Sequence, residues 1–586
     1  MRRLESSYPT MPVRRLRFKV GSGCRAYVQG AFATQENWRH MNPYAFPLLI
    51  KQLLVTPIAQ RSRKEIVYRD LARFGYSTLI ERINRLGSAL SRLGVGEGST
   101  VAVLDWDTNR YLEAYFAVPM LGATLMTANF RLSSEQLAYT LDHAGVDTML
   151  LNVDFLPMIQ EIQDRLPQIR RFICLSDDKV ARPGFAWVGE YESMLAAADA
   201  VHAFPEFDEN TRATLYYTTG TTGNPKGVSF SHRQIVLHCL TVLASVSQAG
   251  ENGRFSRNDV YMPLTPMFHA HAWGYPYIAT LCGWQQVYPG RYEPTVIVDL
   301  VKRERVTFSH CVPTVLSMVL GAPGASGADF KRWKVLIGGS ALPHALCRQA
   351  LARNIDIYAG YGMSESCPLL TLAQVKTDLL DETHDAAERE ARDIAIRTTA
   401  GMPILMAQVR VVDTAGESVP DDGVSVGEVV VRTPYLTQSY LDNEAASAAL
   451  WDGGWMHTGD VGRFDEHGYL HLVDRAKDVI KSGGEWISSV ELEALIGQYP
   501  GVAEVAVIGI PDEKWGERPL AVVAARPDAA LDADTLRRHM SGLVERGVIP
   551  SYAIPDAFEL VEQIERTSVG KLDKKRLRAR YARQPG

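Results

Sequence analysis

The sequence has no long apolar run, no metal-type cysteine spacing and no excess of basic residues, and each absence excludes a class of protein. No uninterrupted apolar segment approaches the ~18 residues of a membrane-spanning helix, so no integral membrane segment is expected. The seven cysteines are scattered, without a Cys-x-x-Cys pair or a Cys/His set at zinc spacing, which favours free thiols in a reducing compartment. A formal net charge of −5 gives no general attraction to nucleic acid. We therefore expect a cytoplasmic protein with no nucleic-acid partner.

What is present is ordinary globular composition and enough chain for more than one domain. The 586 residues are 46% hydrophobic and 22% charged, which excludes wholesale disorder. Domains usually hold about 100–200 residues, so several cores are expected. Residues 1–41 differ, because they are rich in Lys and Arg and poor in acids. They fit either an organelle transit peptide or a disordered or misassigned extension ahead of a start near Met41, and we favour the extension.

The chain from residue 100 onward alternates between strand-like and helix-like segments. Five are predicted in succession: strand 100–107, helix 108–122, strand 123–130, helix 133–145 and strand 146–151. A second run of this kind includes the strand-like segments 306–312 and 334–339. Alternation of this kind builds a parallel sheet with helices on both faces, so we predict an α/β fold with doubly wound, layered sheets.

The segment 218–227, TTGTTGNPKG, predicts a loop that binds phosphate. Glycines in it permit positive φ and a close approach of the backbone to a ligand. Successive N–H groups in such a turn form an anion-binding nest, and Lys226 adds a point charge. The loop is not the P-loop of NTPases, because a proline precedes Lys226 and a glycine follows it. Taken alone, it also fits a polar surface loop with no ligand.

Three further motifs decide between those interpretations. Together with the loop, YGMSES (361–366), the long stretch 457–488 and RTSVGKLDKK (566–575) resemble the adenylate-forming superfamily. That group includes acyl-CoA synthetases, the adenylation domains of peptide synthetases and firefly-type luciferases. The resemblance extends from about residue 42 to the end and includes the order of the motifs. It implies a large N-terminal adenylation domain at 42–474 and a small, mobile α+β C-terminal domain at 475–586, joined by a hinge.

The chemistry implied by the resemblance is two half-reactions at one site, with ATP, Mg²⁺ and coenzyme A. A carboxylate attacks the α-phosphorus of ATP to give acyl-AMP and pyrophosphate, and a thiol then displaces AMP. The first step needs no general base, since a carboxylic acid of pKa about 4–5 is already ionised at neutral pH. It does need neutralised charge and groups held in line.

The resemblance implies roles for individual residues at the phosphates and the metal. Lys226 is expected to be a catalytic residue that contacts the phosphates. Glu365 and the hydroxyl of Thr218 are expected to bind Mg²⁺, since this cation prefers oxygen ligands. Ser364 stands where the family usually has Thr and keeps the hydroxyl. The loop residues expected around the β- and γ-phosphates are Thr218, Thr219, Gly220, Thr221, Thr222 and Gly223.

Further matches concern the nucleoside and the mobile domain. The adenine pocket matches Gly339, Ser340, Gly360 and Tyr361. Asp460 and Arg475 match the carboxylate and arginine at the ribose hydroxyls, and Lys477 falls at the hinge. Lys481 and Trp486 match nucleotide-contacting positions of the fatty-acid branch.

Lys571 matches the mobile catalytic lysine that reaches the α-phosphate and the substrate carboxylate during adenylation. The family's usual Pro-Lys is here Glu565-Arg566, while Gly570-Lys571 is intact. Dimerisation is common in the family, but no motif in this sequence shows it, so a homodimer stays open.

The segment 266–290 resembles the medium- and long-chain fatty-acid branch. His269 matches a position between the acyl-adenylate and the thiol route, and Trp273 matches an aromatic gate on the acyl tunnel. We predict an AMP-forming acyl-CoA ligase for a medium- or long-chain fatty acid. The alternatives are a ligase for a methylthio, branched, aryl or steroid side-chain acid, and an adenylating enzyme that loads a separate carrier protein. A non-catalytic nucleotide-binding protein is disfavoured, because Glu365, Asp460 and Lys571 are retained.

Overall fold

The structure is a computed structural model of the 586-residue chain. It describes residues 46–218, 224–249, 254–326, 330–382, 385–483, 485–526, 529–566 and 572–581. The predicted N-terminal extension 1–41, the loop residues Thr219, Gly220, Thr221, Thr222 and Gly223, and Lys571 lie outside these ranges. Within them, two large sheets and two smaller ones make up the fold.

The alternating segments predicted from residue 100 are present, with shorter bounds. The first helix runs Asn109–Met120, and the side chain of Thr108 accepts a hydrogen bond from Tyr111 N–H at its start. The second runs Ser134–His143, where Ser133 accepts from Gln136 N–H but the return bond of a complete capping box is not made. The strands begin and end within the predicted segments or one residue beyond them, because only the middle of each apolar run pairs with its neighbours.

A seven-stranded sheet holds the strands of this first run. All neighbours in it are parallel except the last pair, which is antiparallel and encloses the predicted phosphate loop. In spatial order the strands are Trp187–Glu190, Arg171–Leu175, Thr148–Asn152, Thr100–Leu104, Thr124–Thr127, Arg212–Thr218 and Lys226–Ser231.

A nine-stranded sheet holds the second run. Its central strands are parallel and its edges antiparallel, as in a doubly wound sheet with added edge strands. In spatial order the strands are Met402–Pro403, Leu369–Leu372, Asp356–Gly362, Lys334–Ile337, Phe308–Cys311, Val260–Tyr261, Gln285–Tyr288, Glu65–Tyr68 and Ala72–Gly75.

The largest core lies between these two sheets. Alternate strand residues face opposite sides, so Val103 and Leu336 belong to this shared core, whereas Leu104 and Val335 belong to cores on the outer faces. The helix Asn109–Met120 is buried at every position, as expected for a helix surrounded by core. The other helices of this part are Val55–Ala59, Tyr76–Arg92, Ser134–His143, Leu156–Ile162, Tyr191–Ala197, His232–Ser247, Tyr275–Leu281, Pro294–Arg303, Pro313–Leu320, His344–Leu351, Thr377–Asp381, Ala386–Arg397 and Glu444–Leu450.

A five-stranded antiparallel sheet follows the nine-stranded one in sequence. Its strands are Gln408–Val412, Gly427–Arg432, Trp455–Phe464, Trp451–Asp452 and Leu470–Arg475.

A second small sheet with its own helices ends the described chain. Its strands are Glu485–Ile487, Ile480–Ser482, Gly516–Ala525, Val502–Asp512 and Ala557–Val561, and its helices are Ser489–Ile496, Ala533–Glu545 and Lys574–Tyr581. Two further cores line its faces. The predicted fold class, a large α/β part with layered sheets and a small α+β part, is confirmed. In the part of the chain that the structure describes, no helix is long and apolar enough to cross a membrane.

Candidate functional site

Two neighbouring parallel strands end at the predicted adenine pocket. Ile337 and Ala359 are paired in register, so Gly338-Gly339, which follow the end of one strand, lie beside Gly360-Tyr361, where the other strand pairs with Leu369–Leu372. Ligands of open α/β sheets bind in the crevice outside the carboxyl ends of such strands. Gly339 has φ of +75°, a left-handed conformation that favours glycine.

The glycines at these strand ends let neighbouring side chains pack closely against the backbone. A Cβ on Gly338 would lie 2.9 Å from Cη2 of Trp273 and 3.3 Å from the carbonyl oxygen of Gly360. A Cβ on Gly360 would lie 3.0 Å from Leu336 and Leu369. Only glycine therefore fits at these two positions without displacing its neighbours.

Asp460, the predicted ribose carboxylate, is hydrogen-bonded to Tyr361 of the predicted adenine pocket. The hydroxyl of Tyr361 donates a 2.7 Å hydrogen bond to Oδ2 of Asp460, and Oδ1 of that carboxylate lies 3.2 Å from Nε of Arg475. Asp460 and Arg475 are cross-strand partners in the five-stranded sheet. Burial first, and the nearby Asp460 second, raise the pKa of Tyr361 well above its ordinary value, so the phenol stays a donor.

The predicted metal ligand Glu365 is held by a residue that the sequence did not indicate. The hydroxyl of Tyr440 donates a 2.6 Å hydrogen bond to Oε1 of Glu365, and the N–H of Thr437 donates to the Glu365 carbonyl at 2.9 Å. Nζ of Lys226 lies 4.6 Å from the centroid of the Tyr440 ring. One tyrosine thus lies between the predicted phosphate lysine and the predicted metal carboxylate.

The two ends of the phosphate loop are fixed by strand pairing. Thr218 and Lys226 are antiparallel partners, so the loop between them opens at the end of the seven-stranded sheet. Two residues before Thr218, the hydroxyl of Tyr216 donates a hydrogen bond to the carbonyl of Ser364. Thr218, Lys226, Ser364 and Glu365 therefore converge, whereas the loop glycines and threonines lie outside the described residues.

These residues suit a magnesium ion. Glu365 is only 7% exposed, its Oε1 is engaged by Tyr440, and its Oε2 has no hydrogen-bond partner among the described residues. The structure's described part contains no cluster of three His, Cys, Asp or Glu side chains. Mg²⁺ usually takes one or two carboxylates together with substrate phosphates and water, so a single buried glutamate fits.

The acyl segment forms a left-handed turn. Ala270, His271, Ala272 and Trp273 all have positive φ, between +46° and +57°, and Gly274 follows at +76°. Each such residue other than glycine costs about 1–2 kcal/mol. His269 is exposed immediately before the turn rather than buried in the core, and Trp273 is buried against Gly338.

Hydrogen bonds with Asp107 and Thr127 hold the chain that leads into this turn. The N–H of Met267 donates to Oδ1 of Asp107 at 2.8 Å, and the hydroxyl of Thr127 donates to the Phe268 carbonyl at 2.8 Å. The hydroxyl of Tyr292 donates to Oδ2 of Asp107 at 2.7 Å. Asp107 is therefore a buried anchor for the segment before His269.

The predicted hinge residue and the predicted nucleotide-contacting residues all belong to the smaller part of the chain, 475–586. Lys477 follows the strand that ends at Arg475, and burial lowers its pKa. Lys481 and Trp486 are cross-strand partners, with Nζ 5.6 Å from the ring centroid. Trp486 is 42% exposed, so its ring offers a face to a ligand.

Sequence reasoning missed Tyr440, Asp107 and two buried histidines, His238 and His271. Tyr440 is 75 residues from Glu365 and Asp107 is 160 residues from Met267, so no local spacing indicates these contacts. The one local indication of His271 is the second histidine two residues after His269.

Comparison with known proteins identifies the family of the chain. The family model of AMP-binding enzymes matches residues 56–441, and that of the AMP-binding enzyme C-terminal domain matches 491–571. The chain is 38% identical over 554 residues to a long-chain-fatty-acid–CoA ligase of Thermus thermophilus, covering 92% of this chain and 98% of that one. It is 36% identical over 514 residues to a 3-methylmercaptopropionyl-CoA ligase of Ruegeria pomeroyi, covering 86% and 91%.

A solved structure, the fatty acyl CoA synthetase of Mycobacterium tuberculosis, superposes with a TM-score of 0.67 at 26% identity, covering 91% of this chain and 98% of that one. The chain belongs to the AMP-binding enzyme family. Within that family it is an acid–thiol ligase of the acyl-CoA synthetase branch, which uses ATP and coenzyme A.

Proposed function

We propose that the enzyme activates a medium- or long-chain fatty acid through acyl-AMP, with Mg²⁺. The observation that carries the acid class is the uncharged, aromatic character of the acyl segment. No Lys or Arg occurs in 266–290, and the turn there packs Trp273 against Gly338 of the proposed adenine pocket. A fatty acyl chain needs an apolar tunnel of this kind, since its affinity comes from buried apolar area.

We assign the adenylation half-reaction to the larger part of the chain, at 42–474, with Lys571 presented by one orientation of the smaller part, at 475–586. A substrate carboxylate oxygen bonds to the α-phosphorus, the bond to the β-phosphate oxygen breaks, and pyrophosphate leaves. Lys226 and the loop from Thr218 would hold the leaving phosphates, and Lys571 would neutralise charge at the α-phosphate. Glu365 and Thr218 would hold Mg²⁺, which would neutralise phosphate charge when bound.

The nucleoside of the same intermediate would lie on the joined adenine and ribose wall. Gly339, Ser340 and Gly360 would border the base beside Tyr361, and Asp460 would accept hydrogen bonds from the ribose hydroxyls. Arg475, whose Nε lies 3.2 Å from Oδ1 of Asp460, would orient that carboxylate.

We assign the thioester half-reaction to a second orientation of the smaller part, 475–586, reached by rotation at Lys477. The coenzyme A sulfur bonds to the acyl carbonyl carbon, the bond to the phosphate oxygen breaks, and AMP leaves. Lys481 and Trp486 would contact nucleotide in this branch, and exposed His269 would lie between the acyl-adenylate and the thiol.

A second candidate acid is supported by one relative. The Ruegeria enzyme carries 3-methylmercaptopropionyl in its name at 36% identity, so a short thioether acid is the alternative substrate for the same chemistry. We propose the cytoplasm as the compartment, since the cysteines in the described part are all free.

Chromatographic analysis of nucleotide products tests the proposal. Purified protein would receive ATP, Mg²⁺ and acids from acetate to palmitate, with benzoate and methylthiopropionate, each with and without coenzyme A. AMP that depends on acid, increases with coenzyme A and is greatest for octanoate or a longer acid supports it. A maximum at methylthiopropionate supports the second candidate. AMP that ignores coenzyme A points to a carrier protein as acceptor, and ADP as product contradicts the assignment.

A further inference from the structure

Three buried ring nitrogens beside the acyl turn have no hydrogen-bond partner in the part of the chain that the structure describes. They are Nδ1 and Nε2 of His238 and Nε2 of His271, in side chains that are 0% and 1% exposed. Buried polar groups are nearly always hydrogen-bonded, so unpaired ones need an explanation. A neutral imidazole has one donor and one acceptor, so the two rings offer both kinds of group to a missing partner.

Both histidines lie against the left-handed turn that carries Trp273. His271 is part of that turn. His238 lies on the helix His232–Ser247 and faces Gly274, the residue that follows the turn. A Cβ on Gly274 would lie 2.8 Å from Nδ1 of His238. Glycine at that position therefore lets the imidazole approach the backbone directly behind Trp273.

The pair is close to the reacting groups of the proposed site. The ring of Tyr216 lies 4.9 Å from that of His271, and its hydroxyl donates to the carbonyl of Ser364, the neighbour of Glu365. On the other side, Trp273 packs against Gly338 at the adenine crevice. One aromatic ring thus separates His271 from the residue before the proposed metal carboxylate.

The surroundings of the pair are aromatic and uncharged. Burial lowers the pKa of His238 and of His271 to about 3, so both rings are neutral at physiological pH. A neutral pair can hydrogen-bond a ligand but does not balance a second carboxylate. The rings around His271 are those of Tyr115, Tyr216, Phe230 and Tyr277.

We propose that His238 and His271 form a hydrogen-bonding subsite of the acyl pocket that selects a hydroxylated fatty acid. The inference rests on the proposed function, because it needs an acyl chain in this pocket. A hydroxyl both donates and accepts, so it can pair with either a donor or an acceptor nitrogen of these rings. An unsubstituted chain leaves those nitrogens unpaired, which is how hydrogen-bonding sites reject analogues that lack the group.

The test compares matched acids with the wild-type enzyme. Hexanoate, octanoate and decanoate would each be assayed beside derivatives hydroxylated at the β carbon, the penultimate carbon or the terminal carbon. AMP formation gives kcat/KM for each. We expect at least one hydroxylated acid to exceed its parent by about tenfold or more. Parent acids that equal or exceed every derivative would overturn the inference and leave the ligase assignment intact, whereas no AMP from any acid would overturn that assignment.

Variants then assign the preference to the two rings. His238→Leu and His271→Leu should each reduce the ratio of hydroxylated to parent kcat/KM by about tenfold, and His271→Asn should keep part of it. His202→Leu is the control, because its ring packs on Phe204 away from the turn and should keep the whole ratio. A ratio that survives both leucine variants contradicts the subsite. If the leucine variants do not fold, the wild-type ratio and His271→Asn decide.

Discussion

Tyr361 and Asp460 come from different sheets and meet in one hydrogen bond. The phenol, at the end of a strand of the nine-stranded sheet, donates at 2.7 Å to a carboxylate of the five-stranded sheet. The side chains are 8% and 7% exposed, so water competes little for this bond. The wall that would take the base and the acid that would take the ribose are therefore positioned as one unit.

Loss of Asp460 should weaken nucleotide binding in both half-reactions. Asp460→Ala would remove the proposed acceptor for the ribose hydroxyls, and it removes the carboxylate that Tyr361 and Arg475 contact. We expect the KM for ATP to increase about 10–100-fold, and the yield of acyl-CoA from supplied acyl-AMP to decrease as well. Tyr361→Phe keeps the ring and removes the donor, so about a tenfold increase is expected. Steady-state and single-turnover assays measure both effects.

An exposed acid of the same sheet provides the control for this prediction. Asp452 lies on the strand Trp451–Asp452 and is exposed. Asp452→Ala should leave the KM for ATP as in the wild type. Equal effects of the two alanine variants would contradict a specific role for Asp460.

The magnesium requirement should depend on Glu365. Glu365→Gln keeps an acceptor for the Tyr440 hydroxyl but removes the charge that would attract the cation. We expect the Mg²⁺ concentration for half-maximal AMP formation to increase by about tenfold or more. The measurement is initial rate against free Mg²⁺ at fixed ATP.

Tyr440→Phe separates the effect of the Glu365 charge from the effect of the Glu365 orientation in this assay. It leaves Glu365 ionisable and removes only its hydrogen bond, so its Mg²⁺ curve should shift less than that of Glu365→Gln. A curve for Glu365→Gln that coincides with the wild-type curve would show that the cation binds elsewhere.

The sequence predicted the elements of the fold better than the contacts of the site. Strands such as Lys334–Ile337 and helices such as Asn109–Met120 follow from local periodicity and capping, which depend on neighbours in the chain. The motif residues Tyr361, Glu365 and Asp460 were assigned from the resemblance of short, contiguous motifs to those of the adenylate-forming superfamily.

Contacts between distant segments could not be predicted in this way. Tyr440 reaches Glu365, and His238 reaches Gly274, only after the sheets and helices have packed. The four residues Ala270–Trp273 all have positive φ although none of them is glycine. Residues other than glycine ordinarily prefer negative φ, so their identity does not predict this turn. Tertiary contacts, such as the hydrogen bond from Met267 N–H to Asp107, hold the chain just before this turn. Local residue propensities do not predict such contacts.

Lys571 should matter for one half-reaction and not for the other. A cation that acts only in the adenylation transition state accelerates that step alone. We expect Lys571→Ala to abolish acyl-AMP formation, by about a hundredfold or more, while supplied acyl-AMP is still converted to acyl-CoA. Lys575→Ala is the matched control, because Lys575 is an exposed lysine of the same basic segment. Equal losses in both half-reactions for Lys571→Ala would contradict the assigned role.

Asp107 should make the stability of the protein depend on pH. Burial raises its pKa from 3.8 to about 7, against the opposing hydrogen bonds from Met267 N–H and the Tyr292 hydroxyl. Between these two values the folded state keeps a proton that the unfolded state has lost. The free energy of unfolding contributed by this group is therefore full below about pH 4 and decreases as the pH rises towards 7.

Asp107→Asn isolates this contribution, because the amide is nearly isosteric and does not titrate. The two proteins differ only at position 107, so the difference between their free energies of unfolding reports the effect of this side chain. We expect the unfolding free energy of the wild type, relative to Asp107→Asn, to decrease between about pH 5 and pH 7 by up to 1.4 kcal/mol per pH unit. Urea unfolding at several pH values measures it. A difference that is constant or increases with pH would show that Asp107 is ionised in the folded protein, and hence that its carboxylate holds Met267 and Tyr292 as an anion throughout this range.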